Sequence, residues 1–153
     1  MSTIEKINAY EILDSRGIPT LLTQVILDNG VEGNAAVPSG ASTGIHEALE
    51  LRDKDKNRYN GKGVLNNIDF INSLILDALQ GLEIRDQKNI DSILLKLDGT
   101  KNKSKLGANT LLSVSLAVAK TASNLNKVDL YQYLGGINTN LLPIPLVNVI
   151  NGG

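Results

Sequence analysis

Cysteine and tryptophan are absent from this chain of 153 residues, and phenylalanine, histidine and methionine occur once each. Without a thiol there is no disulfide, no thiolate nucleophile and no zinc–thiolate centre, a usage that fits a reducing, cytoplasmic location. Aromatics make up 3%, and 15 basic against 16 acidic residues leave a net charge of -1. That combination supplies neither the basic field nor the stacking platforms that nucleic-acid binding needs, so no nucleic-acid partner is expected. The local basic spot at Lys101, Lys103 and Lys105 reads as a solvated loop. No apolar run approaches the roughly 20 residues of a membrane helix, so no membrane span is expected. The N-terminus, Met-Ser-Thr-Ile-Glu-Lys, lacks the basic-then-apolar pattern of a secretory signal. What the chain does have is 42% apolar residues, close to the globular norm, and enough length for one domain with a core.

The first third reads as antiparallel β. Tyr10–Asp14 ends in a turn-like Ser15-Arg16-Gly17, and Leu21–Leu27 is rich in β-branched and aliphatic residues. Asp28-Asn29-Gly30 is a hairpin signal, because Asn and Gly accept the positive φ of a tight turn. Val31, Gly33, Ala35 and Val37 then alternate with Glu32, Asn34 and Ala36, as in a half-buried strand. Further on the period changes. Val64, Ile68, Ile71, Ile75 and Ala78 form one helical stripe stopped by Gly81. A second helix starts at Asp86 as N-cap and carries Ile90, Ile93, Leu94 and Leu97 on one face. Ala108–Ala122 has few charges and many small residues, which predicts the most buried helix. Asp129 caps a last short helix, Leu130–Leu134, closed by Gly135-Gly136. The fold class is therefore α+β, a three-stranded antiparallel meander followed by about four helices.

Two segments stand apart from this pattern. Val37-Pro-Ser-Gly-Ala-Ser-Thr-Gly44 packs a proline, two glycines and three hydroxyls into a loop, where hydroxyl and backbone oxygens suit a hard cation or an anionic substrate. At the other end, Leu142-Pro-Ile-Pro-Leu-Val-Asn-Val-Ile-Asn-Gly-Gly153 reads as a linker into a strand over Leu146–Ile150. A strand with no following partner suggests that another domain starts there. Residues 1–140 are read as one domain and 141–153 as linker and the start of the next.

Four segments in order, Glu11–Thr20, Val37–Asp53, Leu97–Lys120 and Leu142–Gly153, resemble enolases, the second being similar to the active-site lid of that family. The resemblance covers nearly the whole chain. It implies the small N-terminal capping domain that precedes a catalytic α/β barrel, and a barrel of about 250 residues is absent here. It implies, for the longer protein, a lyase (phosphopyruvate hydratase) that dehydrates 2-phosphoglycerate to phosphoenolpyruvate in glycolysis. Two Mg²⁺ ions serve that reaction, because removing a proton next to a carboxylate creates charge that divalent metal neutralises.

Residue by residue, the resemblance implies that Ser42 binds the substrate-linked Mg²⁺, and that Ala41 and Ser42 contact substrate. Ser39, Gly40, Thr43, Gly44 and His46 fall in the lid loop. Taken alone, Ser42 reads first as a turn serine bonding its own backbone, a preference the long match reverses, and His46 reads equally as a solvated surface histidine. No catalytic residue is expected within these 153 residues, since the carboxylates, general acid and base of the family lie in the barrel. One hydroxyl is too little for Mg²⁺, so tight binding to this chain alone is not expected. Partners implied are the chain's own barrel domain, the substrate and product, and a second copy in a homodimer or higher oligomer.

Glu47, Glu50 and Asp53 look like a metal cluster, but their spacing of three fits one helix face paired with Arg52, Lys54 or solvent. Arg16, after Asp14-Ser15, is read as fixing the turn or an interdomain contact rather than binding phosphate. Two positions depart from the family: Ile18 stands where Asn is usual, and Leu22 where the usual glutamate helps make the subunit interface. A different class of function, a non-catalytic binding module that keeps this fold, is the alternative. A piece of a longer enzyme should carry bare apolar surface around Leu146–Ile150; an evolved module should be polar there.

Overall fold

A computed structural model of the chain describes residues 1–38, 40, 44, 46–136 and 138–147. Three strands, β1 (Ile4–Leu13), β2 (Pro19–Leu27) and β3 (Glu32–Ala36), form an antiparallel sheet in the order β1-β2-β3. The first turn is built by Asp14. Its Oδ1 accepts from the amides of Arg16 and Ile18, both at 2.8 Å, while Arg16 closes on Oδ2 at 3.2 Å, so Arg16 fixes the turn as the sequence suggests. The second hairpin turns at Asp28-Asn29-Gly30, with Gly30 at φ +80°. Val25 pairs with Ile7 and Gly33, which puts Ile7, Val25 and Ala35 on the buried face. Tyr10, Leu22 and Ala36 pair across the opposite, uncovered face.

Four helices follow. Helix α1 covers 65–79 and contains a π-helical turn, Ile71–Ile75, between the α-helical segments Leu65–Phe70 and Leu76–Leu79. The other three are α2 (Gln87–Asp98), α3 (Ala108–Asn126) and α4 (Leu130–Gly135). Among the described residues there is no barrel. The α+β class and the strand and helix counts agree with the sequence reading, with two local corrections.

In α1 the buried residue near the end is Leu79, with Ala78 only half-buried. The buried positions Asn67, Ile71, Ile75 and Leu79 lie four apart. In a pure α-helix each step of four drifts by about 40°. The wider π turn takes up that drift, so the stripe stays on one face. The second correction concerns Asp129, which sits at the N-cap position of α4 without a side-chain capping bond. Asp86 does cap α2, accepting from the Asn89 amide at 3.2 Å.

Helix α3 lies against β2 and β3, and small groups set the distance. A Cβ added to Gly33 would come within 2.6 Å of the Thr121 backbone nitrogen. Thr23 donates to Ser113 Oγ at 2.9 Å across this seam, with both hydroxyls buried. Helix α1 covers the free edge of β1. Ala9 N–H donates to Asn72 Oδ1 (2.8 Å), and Gln80 Nε2 donates to the Glu5 carbonyl (3.1 Å), so two of the edge strand's polar groups are met.

Leu146 and Val147 have no regular structure and are exposed, so the expected strand does not begin at Leu146. Residues 148–150 of that expected strand lie outside the described residues.

Candidate functional site

The loop singled out by composition leaves the sheet after β3 and returns through residues 47–53. Its leading stem is held by paired bonds to β2: Val37 N–H donates to the Leu21 carbonyl (3.0 Å), and the buried Thr20 hydroxyl donates to the Val37 carbonyl (2.5 Å). Of the residues proposed there, Gly40, Gly44 and His46 are exposed. Ser39, Ala41, Ser42 and Thr43 lie outside the described residues.

The returning segment is an extended strap. Glu47, Glu50 and Asp53 do not share a helix face, because residues 48–55 have no regular secondary structure. Long-range backbone pairing has overridden the helical spacing. Leu49 N–H donates to the Asn102 carbonyl and Leu49 O accepts from Ala108 N–H, both at 2.8 Å. At Leu51 a side chain takes over: Asn109 Oδ1 accepts from Leu51 N–H (3.0 Å) and its Nδ2 donates to Leu51 O (3.1 Å). Asp53 N–H then donates to the Gly63 carbonyl at 2.9 Å. Residues 49, 51 and 53 are thus bonded as alternate residues of a strand would be, without a neighbouring strand.

The carboxylates have separate tasks. Glu50 pairs with Arg52 (3.0 Å), as expected from the sequence, and its Oε1 also accepts from the Gly40 amide at 2.9 Å. Arg52 in turn donates to the Pro19 and Lys62 carbonyls at 2.5 and 2.9 Å. Asp53 accepts from the Leu65 and Asn66 amides at 2.8 and 3.0 Å, capping α1 from outside the helix and placing negative charge at its N-terminus. Arg58 reaches Glu11 through both terminal nitrogens and lies 3.9 Å from Asp53. The Arg58 hydrogen bonds, helped by the Val64 amide, hold the Glu11 carboxyl below its usual range against the opposing push of partial burial.

Two clefts flank the strap. One of about 370 Å³ is lined by Gly40, Gly44, Glu47, Leu49, Glu50 and Asn102; the other, about 470 Å³, by His46, Glu47, Ala48, Lys101 and Asn102. The smaller cleft carries two carboxylates, Glu47 and Glu50, whereas the larger brings His46 and Lys101 beside Glu47. Among the described residues no group of three or more His, Cys, Asp or Glu is placed to hold a metal ion. No described helix is long and apolar enough to cross a membrane.

Leu22 is half-buried between Tyr10 and Ala36 on the uncovered sheet face. Ile18 lines a shallow cleft with Gly17, Pro19, Tyr59, Asn60 and Lys62. Sequence reasoning passed over Asn67 and Asn109. Asn67 is fully buried and donates to Thr110 Oγ1 (2.7 Å) and Asn109 Oδ1 (3.3 Å), joining α1 to α3 behind the strap. The available signal was an amide four residues before Ile71, in step with the helix's apolar stripe, a group that must find partners if buried.

One comparison with known proteins bears on this arrangement: residues 4–134 match the family model described as Enolase, N-terminal domain.

Proposed function

The chain belongs to the enolase N-terminal domain family, and from that premise we propose that it is the capping domain of a phosphopyruvate hydratase, a lyase. In this reading the domain lends the 38–46 loop to a barrel domain that dehydrates 2-phosphoglycerate to phosphoenolpyruvate. The observation that carries the proposal is the way the loop is mounted. Both stems are pinned to the domain by paired hydrogen bonds, while Gly40, Gly44 and His46 between them are exposed. A loop held at its ends, with Gly40, Gly44 and His46 exposed, is suited to meeting a ligand that another domain binds.

Ser42, carried over from the family motif, is the proposed Mg²⁺ ligand, with Ala41 beside the substrate. Magnesium, when bound, would stabilise negative charge developing on the substrate. One hydroxyl cannot meet the six-oxygen demand of Mg²⁺. The remaining oxygens must come from substrate, water and the barrel, so the proposed ions belong to the two domains together. His46 and Glu47 would shape the rim of the site, and the loop would exclude water from it.

A cytoplasmic setting and a homodimer or higher oligomer are part of the same proposal. The exposed apolar run Leu141, Leu142, Ile144, Leu146 and Val147, with Leu146 at 99% exposure, supports contact with a further body. That run counts against the alternative of an evolved free-standing module, which would be polar there.

The test is phosphoenolpyruvate formation from 2-phosphoglycerate with Mg²⁺, followed by absorbance. The 153-residue chain alone should be inactive; joined to its barrel it should turn over, and Ser42→Ala should lower that rate by about 10²-fold or more, as loss of a positioned transition-state contact does. An inactive joined protein, or an active chain alone, would sink the proposal.

A further inference from the structure

Asn109 is the only described side chain that bonds both backbone polar groups of a strap residue, pairing Leu51 N–H and C=O in a two-point clamp. The clamp is crowded from behind. Gly107 sits at φ +90°, and a Cβ there would lie 2.6 Å from Asn109 Oδ1 and 2.6 Å from Leu51 Cβ. Asn109 itself is buried and braced by Asn67, whose Nδ2 reaches its Oδ1 at 3.3 Å. The amide therefore has little freedom, and Leu51 is fixed with it.

The residues on either side of Leu51 are the pair Glu50 and Arg52, which hold the loop's leading end. Glu50 takes the Gly40 amide, and Arg52 ties the pair to the Pro19 and Lys62 carbonyls. Resting on the capping-domain reading, we infer that Asn109 is a positioning residue for the loop: by clamping Leu51 it sets Glu50 where it can hold Gly40. Asn109 touches neither Glu50 nor Gly40 through any described bond, so its influence runs through the strap. An ordinary packing role would not reach Gly40.

The test is amide hydrogen exchange on the 153-residue chain, comparing the native protein with Asn109→Ala and with Asn109→Asp, which keeps an acceptor for Leu51 N–H. Asn109→Ala should lower protection at Leu51 by about 10- to 100-fold and at Gly40 by about tenfold, while Val25 and Val114 in the core keep theirs. Asn109→Asp should fall between, and it serves where the alanine variant does not fold. Unchanged protection at Gly40, or an equal loss at Val25 and Val114, would overturn the inference.

A second readout separates this inference from the functional reading. In the chain joined to its barrel, Asn109→Ala, or Asn109→Asp where the alanine variant does not fold, should lower kcat/KM for 2-phosphoglycerate at a temperature well below the variant's Tm. Loss of Gly40 protection with unaltered turnover would overturn the positioning role. A native joined protein with no turnover would overturn the enzyme reading and leave the exchange result to decide on Asn109.

Discussion

Replacing Gly33 by alanine tests how closely helix α3 is seated on the sheet. Gly33 has no positive φ, so the effect on the folded state is steric. The added Cβ would meet the Thr121 nitrogen at 2.6 Å, its Oγ1 at 2.7 Å and its Cα at 2.9 Å. Carbon atoms rest at about 3.5–4.0 Å, so α3 has to retreat by roughly 0.6–1.1 Å. A gap of that size forfeits about a quarter to a half of each dispersion contact along the seam. Overpacking of this kind costs about 1–3 kcal/mol, and the upper half applies because two of the three obstructing atoms are backbone. The lower entropy of the unfolded alanine chain returns about 0.4–1 kcal/mol. A net loss of about 2 kcal/mol lowers Tm by about 4–8 °C in a chain of this length. Thermal unfolding followed by far-ultraviolet circular dichroism measures it. Thr121→Ala removes only the Oγ1 contact, so the double variant should recover little. Native stability in Gly33→Ala, or full recovery in the double variant, would refute the close backbone approach.

Two further outcomes are expected. Glu11 is held below its usual range chiefly by Arg58, and Asp98, though burial pushes it up, is brought below by hydrogen bonds from Thr100 and Leu106. A depressed folded-state value stabilises above the unfolded value of about 4, and that stability is lost as pH falls through about 4 towards the folded value. Urea midpoints should therefore drop between about pH 5 and pH 3, and drop less steeply in Glu11→Gln/Asp98→Asn; an equal slope would count against both assignments. Ile75, fully buried in the π turn of α1, should cost about 2–5 kcal/mol on replacement by alanine, against less than about 1 kcal/mol for its exposed neighbour Leu74. Urea unfolding of the two variants gives the comparison, and similar costs would contradict the placing of the stripe.

Local signals carried most of the fold. The Asp28-Asn29-Gly30 turn, the alternation from Val31 to Val37 and the charge-poor, small-residue composition of α3 depend on near neighbours, and the structure follows them. The misreading at Glu47, Glu50 and Asp53 has a different origin. Their spacing is helical, but the strap's partners, Asn102, Ala108 and Asn109, lie more than 50 residues further along the chain. No window around the strap contains that information. The exchange of Ala78 for Leu79 arises in the same way, since one π turn shifts which later residues face the core. Gly33 was legible in principle: a glycine inside a strand often marks a close backbone approach, though its partner Thr121 cannot be named from a short window. At the site, the hydroxyl-rich composition identified the loop. The reason it sits where it does, the Asn109 clamp and the Glu50–Gly40 bond, belongs to tertiary structure.

The domain is therefore held by two kinds of force with different reach. Its core, from Ile7 and Val25 to Ile75, Val114 and Val118, is apolar and fully or almost fully buried, and it governs global stability through the area removed from water. The strap is held by backbone hydrogen bonds at the alternate residues 49, 51 and 53 and by Arg52, whose side chain is partly exposed. Hydrogen bonds of this kind contribute only about 0.5–1.5 kcal/mol each, so the strap can open while the core stays closed. That separation is what a loop-bearing domain needs if the loop is to adjust to a ligand without loosening the fold. It also means that substitutions affecting loop position should appear first in local exchange and in substrate handling, and only later in Tm. Leu51 lies at the boundary between the two regimes, with its amide in the clamp and its side chain against Gly107.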